Sequence, residues 1–275
     1  MSDHQKPLGI FDSGVGGLSV LQAIHEQLPG EDVVYVADQA HVPYGPRSRD
    51  QVSEFAHEIV RFMLGEGAKL IVVACNTASA AALDDLRDAH PGVPFVGMEP
   101  AVKPAAQGTH TGVVGVLATP ATFQGELYES TVERFAQGVT ILQDTCPGLV
   151  SQIEEGLTAD EKTKEILQKA LQPMLDKGVD RVVMGCTHYP FVIPLIREIV
   201  GTETAVIDPA PAVARQTGRL LQRYDLLATG DRQGEIEYLT SGDPCKLREL
   251  LPQLIKLEGE VGRLKWVGEK LVRGA

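Results

Sequence analysis

An internal repeat constrains the fold of this chain more than any other feature of its sequence. Residues 67–77 (GAKLIVVACNT) align without a gap with residues 178–188 (GVDRVVMGCTH), so that Cys75 and Cys186 occupy equivalent positions. Each cysteine is followed by a helical stretch, a short apolar segment and then an acidic residue with Pro-Ala behind it. Because two copies of this length are too few for a solenoid, we predict a duplicated pair of α/β lobes.

The alternation of apolar and amphipathic segments predicts the fold class. Residues 50–64 place apolar side chains at the 3.6-residue rhythm of a helix. Strands that alternate with helices favour parallel sheets covered on both faces, and ligands of such sheets bind beyond the carboxyl ends of the strands. We therefore expect an α/β fold of two pseudo-symmetric lobes, each with a mainly parallel sheet flanked by helices, with the active site in the cleft between them. Apolar runs typical of buried strands occur at residues 8–11, 33–36, 70–74, 113–117, 179–184 and 205–207.

The repeat also sets the expected domain boundaries. Residues 1–100 together with 212–275 are expected to form the first lobe, and residues 101–211 the second. The returning segment shows a strand pattern at residues 235–239 and a helix start near Asp243. Residues 258–275 match no motif, and the sequence leaves open whether they form a packed tail or are disordered.

Charge and composition exclude several classes of function. The 275 residues carry a formal net charge of −12, which provides no basic field to hold nucleic acid or anionic lipid. No apolar run is long enough to cross a bilayer, and the polar first residues lack the order of a signal peptide. We therefore expect a cytoplasmic protein with no nucleic acid as its primary partner, no membrane association and reduced cysteines.

The two repeated cysteines are the first candidates for catalysis. Both Cys75 and Cys186 stand where a predicted strand gives way to a helix, so a helix N-terminus would favour the thiolate form. The alternative is that each is a small buried hydrophobic residue, which is the common fate of a free cysteine. Their occurrence at equivalent positions of a duplication favours catalysis.

Hydrogen-bonding residues follow both cysteines. Asn76, Thr77 and Thr187 could hold a carboxylate together with backbone N–H groups at the helix starts. They could equally be ordinary helix caps. His188 and Glu154 are plausible acid–base helpers. A histidine two residues from a cysteine could bind metal, but no second ligand pair supports this, so we predict no metal.

Two glycine-containing turns provide further candidates. The turn at residues 12–17 (DSGVGG) lacks the full pattern of a nucleotide-binding loop, and an acid before the glycines would repel phosphate. Asp12 is better suited to an ammonium group or a proton relay, or it caps the next helix. In the second turn, Tyr44 and Gly45 follow Pro43, and the tyrosine hydroxyl could donate to a carboxylate or simply pack.

Taken together, these motifs resemble the bacterial glutamate racemases of the aspartate/glutamate racemase family. The resemblance covers roughly residues 8–225, with the motifs in the same order, and agreement of several motifs is far more specific than any one. The motifs are residues 11–18 (FDSGVGGL), 43–45 (PYG), 74–78 (ACNTA) and 185–190 (GCTHYP).

The resemblance implies an enzyme that interconverts L-glutamate and D-glutamate without any cofactor, supplies D-glutamate for peptidoglycan and forms a homodimer. It implies that Cys75 takes the α-proton of D-glutamate and Cys186 that of L-glutamate. Asp12 would assist Cys75, while His188 with Glu154 would assist Cys186. The resemblance further assigns substrate binding to Asp12, Ser13, Tyr44, Gly45, Asn76, Thr77, Thr119, Thr122, Thr187 and His188.

Two alternatives and one departure from the family pattern accompany this interpretation. The same mechanism could act on aspartate or another amino acid, or the chain could be a non-catalytic module that binds a small ligand. Ser151 and Gln152 stand where the family commonly has Pro-Leu, so the stretch that leads to Glu154 departs from the family pattern.

Overall fold

The computed structural model describes residues 3–230 and 232–274; Met1, Ser2, Asp231 and Ala275 lie outside the described residues. Its strands are β1 Leu8–Asp12, β2 Val33–Ala37, β3 Leu70–Val73, β4 Phe95–Val96, β5 Val113–Ala118, β6 Thr140–Asp144, β7 Arg181–Gly185, β8 Ala205–Ile207, β9 Ile236–Thr240, β10 Val261–Val267 and β11 Lys270–Arg273. Its helices are α1 Leu18–Gln27, α2 Arg49–Gly65, α3 Asn76–Ala89, α4 Val102–Gly108, α5 Pro120–Phe123, α6 Glu126–Phe135, α7 Leu149–Glu154, α8 Glu161–Leu175, α9 Ile193–Val200, α10 Ala210–Arg223 and α11 Pro244–Leu254.

The chain divides into two compact units. The first comprises Met1–Met98 and Ala210–Ala275, and the second comprises Glu99–Pro209. The sheet of the first unit has the order β11-β10-β9-β2-β1-β3-β4, and that of the second has the order β6-β5-β7-β8. The four strands β2-β1-β3-β4 therefore follow the same order as β6-β5-β7-β8, and all of these neighbours pair in parallel. The internal repeat of the sequence corresponds to this repeated four-strand sheet.

The buried central strands explain why this fold forms. All residues of β1, β2 and β3 are buried, as expected for parallel strands covered by helices on both faces. In the second unit β5 and β7 are buried except for the first residue of each. The predicted α/β class with mostly parallel sheets flanked by helices is confirmed, and each of the seven predicted strands, including that near residues 235–239, is present.

Helix α2 shows how the sequence sets an element's bounds. The Ser48 side chain accepts a hydrogen bond from the Gln51 backbone N–H, and the Gln51 side chain accepts one from the Ser48 N–H. This reciprocal pair satisfies two N–H groups that a helix start would otherwise leave unpaired. The apolar face of α2, which includes Val52, Ile59 and Met63, is buried against the first sheet. No helix within residues 3–230 and 232–274 has the length and apolar character needed to cross a membrane.

The C-terminal segment extends the first sheet. Strand β9 pairs in parallel with β2, β10 pairs in parallel with β9, and β10 and β11 form an antiparallel hairpin. Leu264 and Leu271 of this hairpin are each 1% exposed and pack in the same core as α2. The stretch from residue 258 to residue 274, which has no sequence motif, is therefore a packed part of the first unit.

Candidate active site

Cys75 lies at the carboxyl end of the first sheet, beside Asp12. Strands β1 and β3 pair in parallel with Phe11 opposite Val73, so that Asp12 and Cys75 follow neighbouring strands at one edge. Cys75 is 4% exposed and is the N-cap of α3, where its Sγ accepts from the Ala78 backbone N–H at 3.5 Å. The fold therefore places this thiol at the N-terminus of a helix, where the positive potential is favourable to negative charge.

The turn after β1 brings Asp12 and Ser13 to this thiol. The Ser13 Oγ lies 4.0 Å from the Cys75 Sγ. The Asp12 carboxylate accepts from the Gly14 N–H at 2.9 Å, and the Tyr35 hydroxyl donates to the Gly14 carbonyl at 2.8 Å. Asp12 therefore does not cap α1, whose N-cap is Gly17, because its carboxylate is engaged within its own turn. These contacts fix the turn from two sides.

Asn76 begins helix α3 and is buried with an unused amide. The side chain is 4% exposed, yet neither its oxygen nor its nitrogen has a hydrogen-bond partner among the described residues. It does not cap the helix, since Cys75 does. Leaving a buried polar group unpaired costs about 1–3 kcal/mol, which is tolerated at sites where a ligand completes the hydrogen bonds. The neighbouring Thr77 is also buried.

The Tyr44 turn approaches Cys75 from another strand end. Tyr44 is 1% exposed, and its hydroxyl donates to the Asp38 carboxylate at 2.7 Å. Burial and the adjacent charge of Asp38 raise the pKa of Tyr44, and negative charge at Cys75 and Asp12 acts in the same direction. The phenol therefore stays protonated within electrostatic range of the thiol. Gly45 follows it at the half-buried end of the turn.

In the second unit, Cys186 is paired with an imidazole and a carboxylate. Cys186 follows β7, and its Sγ lies 3.8 Å from the His188 Nδ1. The His188 Nε2 lies 2.6 Å from the Glu154 Oε1, and all three side chains are buried. An ionised carboxylate can only accept, so Nε2 donates to Glu154 and Nδ1 faces the thiol. The contact between Glu154 and His188 is present even though Ser151 and Gln152, which precede Glu154 on α7, differ from the family pattern.

The other two cysteines differ from Cys75 and Cys186 in their surroundings. Burial, together with the negative charge of Asp144, raises the pKa of the Cys146 thiol, so this residue stays a neutral thiol. Cys245 is exposed on α11. Only a thiolate acts as a base, so Cys146 is not a candidate, whereas the Cys186 Sγ faces the His188 imidazole.

Three of the threonines predicted to bind substrate, Thr119, Thr122 and Thr187, lie beyond strand ends in the second unit, whereas Thr77 lies in α3 of the first. Thr119 follows β5 and caps α5, and its hydroxyl lies 2.9 Å from that of Thr122. Thr187 is buried between Cys186 and His188. Because β5 pairs in parallel with β7, with Ala118 opposite Gly185, these residues share one edge of the second sheet.

The structure thus assembles most of the predicted site residues into two sets. The first unit joins Asp12, Ser13, Tyr44 and Cys75, while the second joins Glu154, Cys186 and His188. The described residues contain no group of three or more His, Cys, Asp or Glu side chains arranged to hold a metal ion. The sequence did not indicate a role for Asp38, Ser241 and Trp266, whose side chains are joined by hydrogen bonds. The only signal for this group in the sequence was the position of Asp38, an acidic residue at the end of a predicted strand.

Fold and site together define a class of protein: a duplicated α/β protein in which each unit carries a cysteine with polar partners at the carboxyl end of its sheet. Residues 8–217 match the Asp/Glu/Hydantoin racemase family. The chain therefore belongs to this family.

Known relatives agree with this assignment over nearly the whole chain. A glutamate racemase from Roseiflexus sp. (strain RS-1) is 48% identical over 92% of this chain and 94% of its own length. The crystal structure of glutamate racemase isoform RacE1 from Bacillus anthracis superposes with a TM-score of 0.85 at 30% identity, covering 97% of this chain and 99% of that one. Escherichia coli glutamate racemase, in complex with L-glutamate and an activator, matches with a TM-score of 0.82 at 31% identity, covering 98% and 100%.

Variants of two buried tyrosines test whether the hydrogen bond from Tyr35 to the Gly14 carbonyl stabilises the turn that follows Asp12. Tyr35→Phe removes the donor to the Gly14 carbonyl and leaves a buried acceptor unpaired, so we expect a loss of about 1–3 kcal/mol in the free energy of unfolding. Tyr238 is the matched control, since it is equally buried, packs edge-to-face on Tyr35 at 6.2 Å, and has a hydroxyl with no partner among the described residues. Tyr238→Phe is expected to be neutral or stabilising.

Urea unfolding of the wild type and the two variants measures this difference. Equal losses of stability in the two variants would contradict a specific role of the Tyr35 hydroxyl.

Proposed function

We propose that this protein is a glutamate racemase that interconverts L-glutamate and D-glutamate by proton transfer at the α-carbon, with Cys75 and Cys186 as the two acid–base groups. The observation that carries the proposal is that each repeated unit presents a buried cysteine at the same strand end with its own polar partners. The relatives that match most of the chain are themselves named glutamate racemases.

The stereochemistry of the reaction explains why two cysteines are needed. Inversion by proton transfer requires a base on one face of the α-carbon and an acid on the other, because a single group would return the proton to the face it came from. One cysteine starts as thiolate and the other as thiol, and one turnover exchanges their states. A duplicated scaffold supplies two such groups from one ancestral design.

We assign the deprotonation of D-glutamate to Cys75. The N-terminus of α3 stabilises its thiolate, and Asp12 and Ser13 are held beside it in the turn after β1. In this proposal Asp12 relays charge or binds the substrate ammonium group, which a buried carboxylate favours electrostatically.

We assign the deprotonation of L-glutamate to Cys186. The His188 Nδ1 faces its thiol at 3.8 Å and can take up or return a proton, while Glu154 stabilises the imidazolium and fixes the orientation of the ring. The two halves of the mechanism therefore use different helper groups around equivalent thiols.

Stabilisation of the negative charge that develops on the substrate is assigned to neutral donors. A positioned acid–base pair supplies roughly 10²–10⁴-fold, so most of the acceleration must come from preorganised hydrogen bonds. The unpartnered Asn76 amide supports this role, together with backbone N–H groups at helix starts. The substrate carboxylates and ammonium group would be held by this set: Asp12, Ser13, Tyr44, Gly45, Asn76, Thr77, Thr119, Thr122, Thr187 and His188.

These side chains suffice for the proposed chemistry without a cofactor. In a bacterial cell the product D-glutamate would enter peptidoglycan, and we expect the enzyme to work in the cytoplasm as a homodimer. The net charge of −12 supports a small-molecule substrate rather than nucleic acid as the primary partner.

Replacement of either cysteine tests the assignment of the two bases. Cys75→Ser and Cys186→Ser are each expected to lower kcat/KM about 10²–10⁴-fold, because a serine hydroxyl is too weak an acid to exchange the α-proton. The loss must be equal from L-glutamate and from D-glutamate, since the two enantiomers are equally stable. Circular dichroism of glutamate incubated with metal-free protein follows the reaction in both directions.

Cys245→Ser is the matched control, because this thiol is exposed and lies outside the site, and its activity is expected to equal that of the wild type. Activity above about a tenth of wild type in either site variant would contradict a two-cysteine mechanism. Inversion of aspartate but not of glutamate would keep the mechanism and change the substrate.

Isotope effects test which helper serves which cysteine. Glu154→Gln weakens the support of His188 and slows proton transfer at Cys186, so this step becomes more rate-limiting. The primary effect with [2-²H]-L-glutamate is expected to rise, while that with [2-²H]-D-glutamate falls towards unity, because Cys186 then reprotonates rather than deprotonates. Asp12→Asn is expected to give the reverse pattern.

Initial rates with protiated and deuterated substrate, at saturation and at low concentration, provide the measurement. If both variants shift the two isotope effects in the same direction, the assignment of Asp12 to Cys75 and of Glu154 to Cys186 is wrong.

A further inference from the structure

A fully buried carboxylate outside the proposed acid–base groups collects four hydrogen bonds. The Asp38 Oδ2 accepts from the Tyr44 hydroxyl at 2.7 Å and lies 2.9 Å from the His41 Nδ1. The Asp38 Oδ1 accepts from the Ser241 hydroxyl at 2.7 Å and from the Trp266 Nε1–H at 2.8 Å. We call these five residues the Asp38 cluster.

The surroundings of Asp38 stabilise its negatively charged, ionised form. Burial alone would raise the pKa of Asp38, but the hydrogen bonds from His41, Tyr44 and Ser241 outweigh it, and the pKa is lowered. Two donors to each oxygen leave the carboxylate well satisfied. The cluster therefore fixes the positions of its donors relative to one another.

The donors come from three separate parts of the chain. His41 and Tyr44 belong to the turn after β2, Ser241 follows β9, and Trp266 lies in β10. Asp38 itself follows β2, and its backbone N–H donates to the Asp12 carbonyl at 3.0 Å. The cluster thus ties the C-terminal hairpin to the strand ends that carry Asp12 and Cys75.

Tyr44 connects the cluster to the proposed active site. Its ring packs in the same buried core as Cys75, and its single hydroxyl hydrogen is donated to Asp38. While Asp38 is ionised, Tyr44 has no hydrogen left to donate to a substrate carboxylate. The turn can therefore serve the substrate only through its shape and its backbone, which the cluster holds in place.

We propose that Asp38, Ser241 and Trp266 are positioning residues that hold the Tyr44 turn in its substrate-binding geometry and so set the affinity for glutamate. This inference rests on the proposed racemase function. The residues touch the turn rather than the reacting atoms, so their loss weakens substrate binding and leaves the proton-transfer step nearly unchanged.

Trp266→Phe is the first test variant. Phenylalanine keeps an aromatic ring near Phe55 and His41, whose ring centroids lie 5.6 Å and 5.0 Å from that of Trp266. It removes the Nε1–H donor together with part of the indole ring system. Loss of one hydrogen bond to a charged group is expected to raise the KM for glutamate about fivefold to tenfold, with kcat within about twofold of wild type.

Ser241 provides an independent variant with its own rescue. Ser241→Ala removes the second donor to Oδ1 and is expected to raise KM in the same way, whereas Ser241→Thr keeps the hydroxyl and is expected to restore it. An increase in KM that threonine reverses cannot come from a general loosening of the fold.

Arg273→Ala is the matched control. Arg273 lies in the same hairpin and pairs with Glu66 and Glu237, but it donates nothing to Asp38. This variant is expected to lower Tm slightly, because exposed ion pairs contribute only about 0–1 kcal/mol, while KM and kcat stay within about twofold of wild type.

Steady-state kinetics and Tm of these four variants decide the matter. The positioning role is wrong if KM stays within about twofold of wild type in both Trp266→Phe and Ser241→Ala. It is also wrong if KM rises in Arg273→Ala in proportion to the decrease in Tm, because KM would then follow stability alone. If the wild type itself does not racemise glutamate, the proposed function fails, and this inference fails with it. An active wild type with unresponsive variants would overturn the inference alone.

Intrinsic fluorescence gives a second readout, because Trp266 is the single tryptophan of the chain. Glutamate binding at the Tyr44 turn is expected to change its emission with a midpoint near KM, and Tyr44→Phe is expected to abolish the change by removing the link to Asp38. Constant emission of the wild type through saturating glutamate would contradict the proposal.

Discussion

The parallel pairing of neighbouring strands determines where the polar side chains of both units lie. Because β2, β1 and β3 run in the same direction and in register, the residues that follow them, Asp38, Asp12 and Cys75, meet at one edge of the sheet. The same pairing of β5 with β7 brings Thr119 to the edge where Cys186 lies. Reversal of any one strand would carry its polar residue to the opposite end, so direction and register create the chemistry.

The two units share the order of their four repeated strands but differ in the side chains that surround the equivalent cysteines. Strands β1 and β5 occupy equivalent places in the repeated order of four strands, but β1 ends in Asp12 whereas β5 leads to Thr119. The second unit instead surrounds Cys186 with His188 and Glu154, the latter from helix α7. Equivalent thiols with different partners are consistent with the proposed racemisation, in which each thiolate removes the α-proton in one direction and each thiol donates a proton in the other.

Short-range pattern predicted most of the strands and both cysteines, because burial and strand–helix alternation are local properties of the sequence. The Asp38 cluster could not be predicted, since Trp266 donates to a carboxylate 228 positions away and no periodicity links them. Strands β10 and β11 were missed because only Val261, Leu264 and Leu271 of their residues are buried, so the apolar pattern is weak, and pairing with β9 makes them part of the sheet. Contacts of this kind become visible only in three dimensions.

Two-base inversion is the central claim, and the fate of the α-hydrogen tests it most directly. Wild-type protein is incubated with L-glutamate in D₂O, and both enantiomers are separated and examined by NMR at low conversion. The mechanism predicts deuterium at the α-carbon of the D-glutamate formed, while the L-glutamate that remains keeps its protium. Deuterium appearing in the remaining L-glutamate as fast as in the product would contradict it, because exchange without inversion requires only one base.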